Sequence, residues 1–226
     1  MTGVALEARP WAEAGTRMLL DDLDALSAAD LDQGCRLPDW TRRHLLAHVA
    51  SNAEAICRLL TWARTGARTP MYASPTQRAA DIESGAARAC LRAWVRDTAS
   101  ELACAASSLP AEAWAAEVVT AQGRTVPASE TWWMRARETC IHVVDLDAGT
   151  TFADLPGPFL TTLLDDVAAW RSAQPGPAIT LVTPTTTHHI AGDGDPTTVS
   201  LPLASAAAWL VGRYAEPSLP GLPRWL

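Results

Sequence analysis

Hydrophobic positions recur at helical spacing through the first 150 residues. Trp11, Ala14, Met18, Leu19, Leu23 and Leu26 form one stripe, which predicts a helix over about residues 7–26. A second stripe, Leu45, Val49, Ala53, Ile56 and Leu60, predicts a helix that begins after an N-cap at Asp39 or Thr41. It runs to about Arg64 and stops near Gly66 and Pro70. Ala86, Leu91, Trp94, Val95, Leu102 and Ala106 predict a third helix over about residues 82–107, ended by Pro110. A β-prone stretch follows at residues 117–126, turning at Gln122-Gly123-Arg124. A fourth helix is expected from about Ser129 to Asp147, ending at Gly149. Four such helices predict a four-helix bundle over residues 1–150.

The pattern changes after Gly149. Leu155-Pro156-Gly157-Pro158 reads as a linker, and a helix over about residues 159–171 follows. Thr/Val-rich segments at residues 178–182, 185–190 and 197–200 predict three short strands, with Gly192-Asp193-Gly194-Asp195-Pro196 as a turn cluster. Residues 203–213 predict a last helix. Residues 151–226 are therefore expected to form a small α/β module, and the fold class is α+β, mainly α.

Composition narrows the chemistry. Of the 226 residues, 18 are arginine and none is lysine, which excludes Schiff-base chemistry and a phosphate-binding P-loop lysine. The net charge of −7 and the lack of a basic stripe argue against a nucleic-acid partner. No apolar run reaches the roughly 18 residues of a membrane span, and the N-terminus lacks a signal-peptide pattern. Five cysteines, widely spaced and without a CxxC pair, are expected to be reduced thiols of a cytoplasmic protein. The ten tryptophans have no functional reading beyond packing.

Five histidines are the scarce resource. Glu138 and His142 lie four residues apart on the fourth helix, so they share a face and can ligate one metal. His48 on the second helix is the natural third ligand, giving an open two-His, one-Glu site. The same spacing also reads as a solvated helix face, because Arg135, Glu138, His142 and Asp145 fall together opposite the apolar side. His48, at the edge of its stripe, also reads as a hydrogen-bonded core histidine. His44 is expected to pack locally in the first helical turn. Alternation places His188 and His189 on opposite sheet faces, with structural roles. Asp193 and Asp195 lack the spacing and bidentate Glu of a calcium loop. Cys140 points away from Glu138 and is not a nucleophile.

Three segments carry a resemblance. They are Leu37-Pro38-Asp39-Trp40-Thr41-Arg42-Arg43-His44-Leu45-Leu46-Ala47-His48-Val49-Ala50-Ser51-Asn52-Ala53-Glu54, Arg137-Glu138-Thr139-Cys140-Ile141-His142-Val143-Val144-Asp145-Leu146, and Ala208-Trp209-Leu210-Val211-Gly212-Arg213. In order and spacing they resemble the mycothiol-dependent maleylpyruvate isomerase family, within the DinB-like metal-binding bundles. The resemblance implies a DinB-like four-helix bundle followed by a small sterol-carrier-like α/β domain. It implies a divalent metal, zinc by default, on His48, Glu138 and His142, with mycothiol as thiol cosubstrate. It implies Arg213 as a catalytic residue that anchors a substrate carboxylate, and Asp145 as the partner that orients a metal-bound histidine. The chain departs from the family at Asp39 and Arg43, where glycines are usual. Arginine in place of lysine suggests a GC-rich, actinobacterial source, which agrees with mycothiol.

The implied activity is cis–trans isomerisation of an electron-poor, maleylpyruvate-like double bond by reversible thiolate addition. An S-transferase that stops after addition is the alternative, and a non-enzymatic ligand-binding or interaction protein is the second. The expected partners are a small-molecule substrate and a low-molecular-weight thiol. Oligomeric state, monomer or homodimer, stays open.

Overall fold

The computed structural model describes residues 7–225. The chain divides into two compact units, residues 1–150 and 151–226. In the first, α1 (Arg9–Ala25), α2 (Arg42–Thr65), α4 (Leu91–Ser107) and α5 (Glu130–Asp145) form the bundle. A further helix, α3 (Pro75–Ala86), packs on α2. The α1 stripe of Ala12, Gly15, Leu19 and Leu23 is buried against α5. Gly15 sits where a Cβ would lie 2.6 Å from Thr139 Oγ1 and 2.9 Å from the Cys140 backbone nitrogen. The two helices therefore meet at a spacing only glycine permits.

Helix α2 starts where the sequence placed it. Thr41 is the N-cap, and its N–H donates to Nδ1 of His44 at N3, 3.2 Å away. Helix α2 ends at Gly66, whose φ of 73° is the left-handed conformation that closes a helix. The hairpin β1 (Glu117–Val119) and β2 (Thr125–Pro127) pairs antiparallel across the expected turn.

The expected third helix is two helices. Its apolar stripe steps five residues from Ala86 to Leu91, where a helix repeats at three or four, and the backbone leaves the helical region at Cys90 (φ −96°, ψ 30°). Arg43 donates to the Ala86 and Arg88 carbonyls at 3.4 and 3.3 Å, satisfying the end of α3 in place of a continued helix. The missed N-terminus of α3 has an ordinary signal. The Ser74 hydroxyl accepts the Gln77 N–H at 3.0 Å, and Pro75 occupies the first turn.

The second unit holds α6 (Gly157–Ser172), α7 (Leu203–Leu210) and a three-stranded sheet of β3 (Pro177–Val182), β4 (Thr187–Ile190) and β5 (Asp193–Ser200). The order is β4-β3-β5, with β4 antiparallel and β5 parallel to β3. Of the turn expected at Gly192–Pro196, the part from Asp193 onward is instead the start of β5. Pairing skips from Asp193 to Thr197, so these residues form an irregular, bulged strand end. His188 is buried and His189 exposed, as alternation requires. The helix expected to reach Arg213 ends at Leu210.

Candidate functional site

The site begins with a crossing of α2 and α5. Arg42, in the first turn of α2, donates through Nε to the Leu146 carbonyl at 2.8 Å and through Nη2 to the Asp147 carbonyl at 2.7 Å. Those carbonyls close the C-terminal end of α5, where a cation is favoured. The Arg36 N–H adds a bond to the Asp145 carbonyl at 2.9 Å. From this anchor α2 runs forward while α5 runs back. His48 in the second turn of α2 therefore comes level with Glu138 and His142.

His48 Nε2 lies 3.0 Å from Glu138 Oε2, and His142 Nε2 lies 3.3 Å from the same oxygen. The imidazoles meet edge to face, with centroids 5.0 Å apart. One ligand atom from each residue lies within 4.8 Å of the others, a spacing that suits one divalent cation. His142 Nδ1 is 2.9 Å from Asp145 Oδ2. Asp145 is fully buried, and this contact places the Nδ1 proton and leaves Nε2 free to ligate a cation. The donor set therefore fits a divalent cation: two imidazoles and a carboxylate, with one imidazole oriented by a second carboxylate.

The electrostatics follow from burial. Burial works against ionising Glu138, but His48 and His142 outweigh it and hold the carboxyl well below its usual range. Burial likewise disfavours the His142 imidazolium, yet the hydrogen bonds it donates to Asp145 and Glu138 push its pKa up to about 9. His48 goes the other way. Burial lowers its pKa, with His142 and Arg78 adding to the effect and Glu138 opposing it. A carboxylate between a buried and a half-buried imidazole collects positive charge whether a proton or a metal supplies it.

The polar face of α5 is thus not a solvated one. Arg135 is buried, donating to the Val49 carbonyl and to Asn52 Oδ1, both at 2.9 Å. Burial brings its pKa down to about 10. Cys140, on the opposite side, is buried against the Trp11 carbonyl, and burial pushes its thiol up to about 12. His44 serves the α2 cap and lies 3.4 Å from Glu83.

Arg213 belongs to the second unit, just beyond α7. Gly212 takes a φ of 75°, its N–H bonds to the Trp209 carbonyl and the Arg213 N–H bonds to the Ala208 carbonyl at 2.7 Å. This paired closure turns the chain out of the helix before Arg213. Its Nη1 donates to the Val211 carbonyl at 2.8 Å.

Two neighbouring residues were not anticipated. Arg78 on α3 has Nη2 3.4 Å from His48 Nδ1 and lies over the Tyr72 ring, 5.5 Å from its centroid. Both residues border a cavity of about 80 Å³ that Glu138 also lines, and a larger one of about 350 Å³ beside it. Recognising α3 from Ser74-Pro75 would have put Arg78 in view.

A helical bundle with a His-Glu-His cluster on two facing helices, opening on cavities, defines a bundle domain with a candidate divalent-metal centre. Comparison with known proteins is more specific. The model of the mycothiol maleylpyruvate isomerase N-terminal domain matches residues 12–147. A crystal structure of the mycothiol-dependent maleylpyruvate isomerase is similar over 98% of this chain and 97% of that one, with 38% identity and a TM-score of 0.92. A mutant of that isomerase, with one histidine changed to alanine, matches with the same identity and coverage and a TM-score of 0.91. No curated protein sequence gives a significant match. The chain belongs to the mycothiol-dependent maleylpyruvate isomerase family, a family of enzymes.

Proposed function

We propose that the protein is a metal- and mycothiol-dependent cis–trans isomerase of a maleylpyruvate-like acid, with the metal on His48, Glu138 and His142. The observation that carries this reading is the three-donor cluster, which gathers no fourth protein donor among the described residues. Zinc is the ion we assign, and when bound with an open position it supplies stabilisation of a thiolate near neutral pH.

The residues have distinct tasks. Glu138 contributes the one formal negative charge among the ligands. Asp145 accepts the His142 Nδ1 proton and so fixes the tautomer that presents Nε2. None of the chain's own five cysteines belongs to the cluster, and burial raises the pKa of Cys35, Cys57 and Cys140. The nucleophile therefore arrives with the cosubstrate. Its sulfur forms a C–S bond to one carbon of the cis double bond, and the π pair moves onto the conjugated carbonyl as an enolate. The former double bond rotates. The pair returns, the C–S bond breaks and the trans acid leaves, with thiol regenerated and no net redox change. Arg213 anchors a substrate carboxylate through its guanidinium and stabilises the enolate charge. No helix among the described residues is long and apolar enough to cross a membrane. With five free cysteines, we place the protein in the cytoplasm.

The test is to incubate zinc-loaded protein with mycothiol and maleylpyruvate, following products by NMR and mass spectrometry. The trans acid should accumulate while mycothiol is recovered unchanged, and omitting the thiol should stop turnover. A stable thioether would show an S-transferase instead, and reaction without thiol would sink the mechanism. Arg213→Ala should lower kcat/KM by roughly 10–100-fold, the scale of a lost charge-assisted hydrogen bond; an unchanged value would remove Arg213 from the site.

A further inference from the structure

We propose that Arg78 is a carboxylate-binding residue of the bundle, seating an acid group of the substrate next to the His48-Glu138-His142 cluster. The assignment rests on the reading of the protein as an enzyme of unsaturated diacids, and extends it to how the first unit recognises them.

The guanidinium of Arg78 is short of acceptors. Its Nε is buried and has no hydrogen-bond partner, and among the described residues no carboxylate forms an ion pair with it. Its Nη2 makes a long 3.4 Å contact to His48 Nδ1, and its other side-chain neighbour is the neutral Tyr72 hydroxyl, not an anion. If His48 gives its Nε2 to a metal, its Nδ1 carries the ring proton and cannot accept from Arg78 at all. A cation that is permanently charged, partly desolvated and without an anion calls for one from a ligand.

The surroundings say which ligand. The cavity of about 350 Å³ beside Arg78 falls in the size range of small-molecule sites. Its walls combine Trp62, Met71 and Tyr72 with the cations Arg68 and Arg78, and include no acidic residue. The smaller cavity reaches Glu138 and joins Arg124 and Arg137 to Glu130. Arg78 borders both, so a carboxylate on its guanidinium would have its carbon chain beside the metal ligands. A cis-enedioate carries two carboxylates. Arg78 supplies a cation for one of them.

The experiment uses the full-length, zinc-loaded protein and maleate as the probe. Calorimetric titration of the parent, Arg78→Met and Arg78→Lys should show maleate binding about tenfold or more weaker in Arg78→Met, with Arg78→Lys intermediate. Zinc content by elemental analysis should be equal in all three. In turnover, Arg78→Met should raise KM for the diacid by at least about tenfold while changing kcat/KM for its monomethyl ester less than about threefold. A merely structural role would depress acid and ester alike, and that result overturns the assignment. So does equal maleate affinity in parent and variant, or no maleate binding to the parent. The two readings separate cleanly. Arg78-dependent maleate binding in a protein that isomerises nothing leaves this assignment standing and removes the isomerase; isomerisation indifferent to Arg78 does the reverse.

Discussion

His48→Ala is expected to strip the protein of bound metal and abolish thiol-dependent turnover. The three donors are spread over two helices, and His48 is the only one from α2. Its loss leaves Glu138 and His142, two ligands four residues apart on one helix. Removing even a hydrogen-bond partner of a metal ligand costs about 10–100-fold in affinity or activity, so removing a ligand should cost more than about 100-fold in affinity. Turnover should fall at least about a thousandfold, since the thiolate would lose the charge that stabilises it. Glu138→Gln should behave alike for a different reason. It keeps shape and volume but removes the one anionic ligand. The readouts are zinc per chain after dialysis, and turnover with mycothiol before and after added zinc. His48→Ala is not expected to unfold the protein, because the side chain removed is polar and the α2–α5 crossing is held independently by Arg42. Stoichiometric zinc with full activity in His48→Ala would refute the centre.

The sequence carried the bundle and the three residues that cluster, but not their surroundings, and the reason is geometrical. Periodicity gave α1, α2 and α5 because each buries one stripe. It fused α3 with α4, since Ala86 and Leu91 read as one stripe unless the five-residue step is counted. With α3 went Arg78, which no motif marks. Spacing alone also left Glu138 and His142 divided between a metal site and a solvated face. What decides is the register of α5 on α2, set by Arg42 reaching carbonyls about a hundred positions away. Such side-chain-to-backbone ties leave no periodic trace. Arg213 shows the same limit. Its stripe continues past Leu210, whereas the chain leaves the helix at Gly212 because its left-handed backbone satisfies the last carbonyls.

Gly15→Leu is expected to be among the most destabilising single changes in the bundle. Even alanine there opposes two effects. It gains about 1 kcal/mol of helix propensity in α1. Against that, its Cβ would stand 2.6 Å from Thr139 Oγ1, 2.7 Å from Cys140 Sγ and 2.9 Å from the Cys140 backbone nitrogen. The side-chain atoms can turn away, but the backbone nitrogen cannot, so α1 must lift off α5. Overpacking a tight contact costs about 1–3 kcal/mol, which outweighs the propensity gain. For Gly15→Ala the net loss of up to about 2 kcal/mol should lower Tm by up to about 8 °C, at roughly 2–4 °C per kcal/mol for a chain of this size. Leucine, with three more carbons at the same contact, should cost about 3 kcal/mol or more. Gly157→Ala, where nothing lies within 4 Å of the added Cβ, is the matched control and should melt close to the parent. The consequence reaches the metal centre. Thr139 and Cys140 directly follow Glu138 and precede His142 by only a few residues, so lifting α1 shifts the segment of α5 that carries both ligands relative to His48. Gly15→Ala should therefore also bind zinc more weakly, although no donor atom has changed; undiminished zinc affinity with a lowered Tm would show that the α1–α5 contact sets stability alone.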